Sequence, residues 1–149
     1  MIELAAARRR LAILWLLIPG LVALLLAGQT IGGIYGDQGE QAWGWFLPSV
    51  MPTLSLILSV LGAEALSNHE QRKQRKATVD LFFYRLSFAL SGLYLASMLV
   101  LLLLRPVTAY ETPTELMALS DLWMAPFQAL VISAITVLFF KKDAKSETR

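Results

Sequence analysis

Residues 46–66 read FLPSVMPTLSLILSVLGAEAL: an apolar run broken by two prolines four positions apart, a scatter of hydroxyls and a single charge, Glu64. An α-helix needs about 20 mostly apolar residues to cross a hydrocarbon core of about 30 Å, and this run meets that length. Three further runs, 11–27, 81–104 and 122–140, meet it or come close. None alternates polar with apolar residues in the way a transmembrane β-strand does. Apolar residues make up 56% of the 149-residue chain, above the roughly 45–50% of soluble domains, and the mean hydropathy is +0.59. The sequence therefore predicts an all-α integral membrane protein, a single domain over 1–149 with four transmembrane helices in a bundle. The connections are too short to hold a soluble domain.

The basic residues sort to one side. Arg8, Arg9 and Arg10 precede the first run, Arg72, Lys73, Arg75 and Lys76 fill the second connection, and Lys141, Lys142, Lys145 and Arg149 form the tail. The first and third connections carry Asp37, Glu40, Glu111, Glu115 and Asp121, with Arg105 as their one cation. Short loops rich in Lys and Arg stay in the cytoplasm, so both termini are expected there, in a multi-pass protein of the cell inner membrane. The opening MIELAAARRR resembles the start of a secretory signal, but the apolar run is longer than a signal's and no A-x-A site follows. An uncleaved first span is expected. The net charge of +2 calls for no nucleic-acid partner. The patch Arg72, Lys73, Arg75 and Lys76 suits anionic lipid head groups, each basic residue contributing about 1 kcal/mol near the surface.

Prolines and small residues give the spans their texture. Pro19 and Gly20 fall in mid-span one and read as a kink with a packing notch. In span two Pro48 is expected in the first helical turn, where its missing amide costs little; Pro52 lies deeper and should bend the helix. Pro48, Pro52, Ser55, Ser59 and Gly62 recur at helical spacing along one narrow face, which is either a helix contact or a pore lining. Small residues at such spacing let helix backbones approach closely in lipid, which favours contact. Ser87 and Ser91 with Gly92 and Ala96 form a like stripe on span three, and Ala125, Ala129 and Ser133 on span four. Span four is expected to start at Ser120 or Asp121 as N-cap, with Pro126 one turn in. Spans two and four share a layout of Trp and Pro followed by hydroxyls, which fits parallel neighbours in a repeat of two hairpins.

Chemistry is sparse. There is no cysteine and one histidine, His69, so thiol chemistry is excluded and a metal centre is not expected. No nucleophile with a base and no carboxylate cluster occurs, and neither a cofactor nor an enzymatic activity is expected. Glu64 and Arg85 are charges inside spans, which are expensive in hydrocarbon and default candidates for function. Lying near the same membrane face, they are expected to pair. Arg105 and Asp121 are candidates for a second pair at the opposite face. The acidic residue that small multidrug transporters carry in their first span is absent. The segment EALSNHE, residues 64–70, lacks the arginine expected of the four-helix glutathione and eicosanoid enzymes.

The stretches WFLPSVMPTLSLILSVLGAEAL, FFYRLSFALSGLYL and LWMAPFQALVISAITVLFFKK together resemble small bacterial four-helix inner-membrane proteins. Some proteins of that kind resemble membrane effectors of antiphage conflict systems, whose oligomers permeabilise the inner membrane. The resemblance implies no catalytic residues. It implies, with the small-residue faces, a homo-oligomer that forms or regulates a pore or channel. The alternative expectation is a non-conducting scaffold or sensor whose basic loop recruits a cytoplasmic protein partner.

Overall fold

The computed structural model describes residues 2–66, 78–104 and 114–140. Four helices carry almost all of them: α1 (Leu4–Ile31), α2 (Gly39–Leu66), α3 (Leu81–Leu104) and α4 (Glu115–Phe140). Each is long and apolar enough to cross a membrane. Two two-residue strands, β1 (Ile2–Glu3) and β2 (Thr78–Val79), pair antiparallel. α3 has the bounds of its apolar run, whereas α1, α2 and α4 begin well before theirs. Hydropathy marks only the hydrocarbon depth, while a helix carries its backbone hydrogen bonds on through the head-group layer. The 28 residues of α1 amount to about 42 Å at 1.5 Å per residue, the thickness of a bilayer with its polar regions.

Those longer helices correct three sequence expectations. Pro48 is not in a first turn: α2 starts at Gly39, which puts the proline more than two turns in. Pro126 likewise lies about three turns inside α4. Ser120 and Asp121 are interior residues of α4 rather than caps, and Ser120 Oγ donates to the Met117 carbonyl at 2.6 Å. Nor is there a notch at Gly20, where an added Cβ would meet nothing within 4 Å, although Pro19 itself is buried.

The turn between α1 and α2 is built on two glycines in the left-handed region, Gly33 at φ 75° and Gly36 at φ 50°, which a side chain would resist. With Gly33 so placed, its amide reaches the Thr30 carbonyl and the Ile34 amide reaches that of Gln29, closing the end of α1. Gly39 passes so close to Thr30 that a Cβ there would lie 3.0 Å from Thr30 Cγ2. Gln29 then ties the turn to α3, accepting from Tyr35 Oη at 2.7 Å and donating to the Leu102 carbonyl at 3.2 Å.

Helix directions follow from what meets at each end. β1 and β2 bring the starts of α1 and α3 together. The Arg8 guanidinium reaches the Leu138 and Phe139 carbonyls in the last turn of α4 and sits 5.5 Å from the Phe139 ring centroid. At the other end Thr114 Oγ1 lies 3.1 Å from Gln38 Oε1 and 2.9 Å from Gln41 Oε1, joining the starts of α2 and α4. So α1 and α3 run one way and α2 and α4 the other. In the ring of neighbours, α1 adjoins α2 and α3, and α4 adjoins α2 and α3. Spans two and four are thus parallel neighbours, as their shared layout predicts.

Tyr94, fully buried at mid-α3, joins the layers. Its ring stacks on Trp15 of α1, with centroids 6.0 Å apart, and meets Phe127 of α4 edge-on at 5.6 Å. Its hydroxyl donates to the Ser49 carbonyl of α2 at 3.0 Å. Leu11, Ile57, Leu95, Met98, Leu102, Met124, Ile135 and Leu138 fill the interior around it. The outside is equally apolar: Leu17, Leu24, Phe82, Leu93, Leu122 and Leu130 are each more than 60% exposed. Such a surface suits hydrocarbon rather than water.

Replacing Tyr94 with Phe should remove only the interhelical hydrogen bond and lower stability by about 0.6–2 kcal/mol. Tyr94→Ala should cost about 3–5 kcal/mol through the cavity, while Leu24→Ala on the exposed face should stay within about 0.5 kcal/mol. Unfolding of the purified protein in mixed micelles checks this ranking, and equal effects at positions 94 and 24 would refute it.

Candidate functional site

The prolines of α2 organise its contact with α4. A proline has no amide hydrogen, so the carbonyl four residues earlier loses its helical donor. Pro52 frees the Pro48 carbonyl in this way, and Pro48 frees that of Gly44. Where water is absent such a carbonyl needs a partner from the protein. Gln128 of α4 supplies one: Nε2 donates to the Pro48 carbonyl at 3.1 Å and to the Ser49 carbonyl at 2.9 Å. The Ser49 carbonyl therefore accepts from Gln128 and Tyr94 together. Nearer the helix starts, Trp45 Nε1 donates to Ser120 Oγ at 3.1 Å, with the Asp121 carboxylate also within its reach. Ser49 Oγ in turn donates to the Trp45 carbonyl at 2.8 Å.

These contacts hold α2 and α4 together at their starts but do not close the seam between them. A cleft of about 290 Å³ remains, lined by Gly44, Trp45, Pro48, Ser49, Asp121, Met124, Ala125 and Gln128. Small residues at 44 and 125 leave the space, and Pro48 and Ala125 are exposed at its mouth. The cleft offers a carboxylate, an indole, a thioether and the freed Gly44 carbonyl. Among the described residues no group of three His, Cys, Asp or Glu side chains could hold a metal ion.

The small-residue stripes divide. On α3 Ser87 and Ser91 are buried, at 1% and 0% exposure, and pack inward. On α2 Pro48, Pro52, Ser55, Ser59 and Gly62 are all exposed, as are Ala125, Ala129 and Ser133 on α4. An added Cβ at Gly62 would touch nothing within 4 Å. Pro48 and Ala125 begin the two outward stripes and line one cleft, so the stripes run side by side down the α2–α4 seam. Two of their hydroxyls bond within their own helices: Ser59 Oγ donates to the Ser55 carbonyl and Ser133 Oγ to that of Ala129.

Of the intramembrane charges, Arg85 is exposed in the first turns of α3. Glu64 falls in the last turn of α2, but its side chain lies outside the described residues, and with it the expected pair. The basic patch Arg72, Lys73, Arg75 and Lys76 and the candidate pair member Arg105 lie outside them too. Residues to which the sequence gives no interhelical role proved central: Tyr94, Gln128, and Trp45, which bonds to Ser120, expected only as a cap. Their signal is simple in retrospect, for a polar side chain deep in an apolar run must find a partner. Among the described residues, Trp15 Nε1, Thr53 Oγ1 and Ser91 Oγ are buried with no hydrogen-bond partner and are exceptions to that rule.

Fold and site together define a four-helix bundle, every helix able to cross a membrane, with a polar-lined cleft between two parallel helices. No protein-family model, curated protein or solved structure matches the chain.

Gln128→Leu should cost about 1–3 kcal/mol by stranding the Pro48 carbonyl. In a Pro52→Ala background the same change should cost less, because the new amide at 52 can serve that carbonyl. Unfolding free energies of the four proteins in this cycle should show coupling of at least about 0.5 kcal/mol; strict additivity would break the proposed link between Pro52 and Gln128.

Proposed function

We propose that this protein is a multi-pass inner-membrane protein that works as an assembly of identical copies and forms a permeation pathway between them, its termini in the cytoplasm. One observation carries the reading: the small-residue faces of α2 and α4 point away from their own bundle. In lipid, apolar surface alone gives no drive for helices to associate, and close approach over small residues is the usual reason for such faces. Two parallel stripes along one seam offer a neighbouring copy a groove into which a helix can settle.

The filled interior supports placing the pathway between copies. Trp15, Tyr94, Met98 and Leu102 are buried at 1% exposure or less, which leaves each copy as a wall rather than a tube. Ser55, Ser59 and Ser133 are the hydroxyls such walls would bring together. The sorting of Arg8, Arg9 and Arg10 away from the acidic turn supports the orientation. The resemblance to permeabilising effectors agrees with this reading by analogy alone.

Changing Ser55 and Ser59 together to Leu should separate the copies and abolish dye release from liposomes, while the exposed control Leu17→Ala retains both. Native mass spectrometry in mild detergent and a liposome flux assay measure the two outcomes. A parent protein that is monomeric and silent in liposomes would overturn the proposal.

A further inference from the structure

The cleft between α2 and α4 has a chemistry that pore formation does not use. Asp121 lies on the exposed flank of the bundle, about 9 Å along α4 from Glu115 at 1.5 Å per residue, with Trp123 exposed two positions on. That is the depth at which tryptophans mark the membrane interface. Among the described residues no basic side chain stands at this end: Arg8, Arg9, Arg10 and Arg85 all lie at the other, while Asp37, Glu40 and Glu115 add to the negative field here. A carboxylate beside hydrocarbon without a cation is costly, and none of the described residues supplies one; Arg105, the expected partner of Asp121, lies outside them.

We propose that the cleft binds an ammonium group, with Asp121 as its counter-charge. The remaining lining decides for an organic cation over a metal ion. A hard divalent cation takes six or more oxygen ligands, and the cleft offers one carboxylate. Trp45 and Met124 instead supply an aromatic and a thioether wall, which suit the carbon substituents of an ammonium and add cation–π attraction. The Gly44 carbonyl, freed by Pro48, is an acceptor for an ammonium hydrogen. A volume of about 290 Å³ lies at the small end of ligand pockets, enough for a head group. The opening past Pro48 and Ala125 faces the flank of the bundle, where the amine head group of a zwitterionic lipid resides; a free small amine carries the same chemistry. Ser55, Ser59 and Gly62, the deeper part of the stripe used for assembly, do not line the cleft, whereas Pro48 and Ala125 belong to both, so the oligomeric mass has to be followed to separate binding from assembly.

The test titrates the purified full-length chain in non-ionic detergent with short-chain phosphatidylethanolamine, with ethanolamine, and with short-chain phosphatidylglycerol, which has no ammonium. The thermal unfolding midpoint and the oligomeric mass are followed in the same samples. Phosphatidylethanolamine should raise the midpoint saturably and phosphatidylglycerol should not. Asp121→Asn and, separately, Ala125→Leu, which fills the cleft from an exposed position, should each raise the half-saturating concentration by about tenfold or more, judged against each variant's own starting midpoint. A response to ethanolamine equal to that of the lipid assigns the site to a free amine; a response to the lipid alone assigns it to a head group; both uphold ammonium binding. An equal shift with phosphatidylglycerol, no shift with any probe, or parental saturation in Ala125→Leu would overturn it.

Discussion

A tyrosine hydroxyl at the centre of an apolar bundle has no water to bond with, and much of this fold can be read as the consequence of where Tyr94 finds its acceptor. The acceptor is the Ser49 carbonyl of α2, a helix that lies across the ring of neighbours from α3. Reaching it brings the Tyr94 ring against Trp15 and Phe127 on the way. One side chain thereby touches all three other helices, and its directionality sets a depth and rotation that apolar packing alone leaves loose. A hydrogen bond in lipid is worth only about 0.6–2 kcal/mol. Its importance here is geometric.

The same constraint, that a carbonyl in hydrocarbon needs a donor, explains the features at both ends of the bundle. The prolines of α2 release carbonyls, and Gln128 on the neighbouring helix answers one of them. At the opposite end the last carbonyls of α4, which have no intrahelical donors, are met by the Arg8 guanidinium. A charge that sequence reading assigns to topology thus also closes a helix end. Prolines, a glutamine and an arginine, which look like interruptions of an apolar chain, pin its helices to one another.

Where that bonding stops, the molecule is open. Between the Trp45–Ser120 contact and the Gln128 contact the small residues Gly44 and Ala125 leave the α2–α4 cleft, and below it the two small stripes continue down the outer seam. The seam is therefore polar and concave near the helix starts, smooth and small further along. Those two characters suit two different occupants, a head group above and another helix below.

The sequence by itself determined the number of helices long and apolar enough to cross a membrane, the bounds of α3 and the absence of thiol chemistry, because hydropathy over 20 residues and residue counts need no tertiary information, and the shared Trp–Pro layout anticipated the parallel run of α2 and α4. Helix starts at Gly39 and Glu115 lay beyond its reach, since the polar ends of a span are helical without being apolar. Which stripe faces inward was decided only by the tertiary structure: Ser87 and Ser91 turn in, whereas Ser55, Ser59, Ala129 and Ser133 turn out, though all follow one spacing. In water, burying apolar surface would have told inside from outside. In lipid both sides of a helix are apolar, so the rotation of each helix is settled by polar bonds such as Tyr94 to Ser49 and Gln128 to Pro48, and these partners are far apart in the chain.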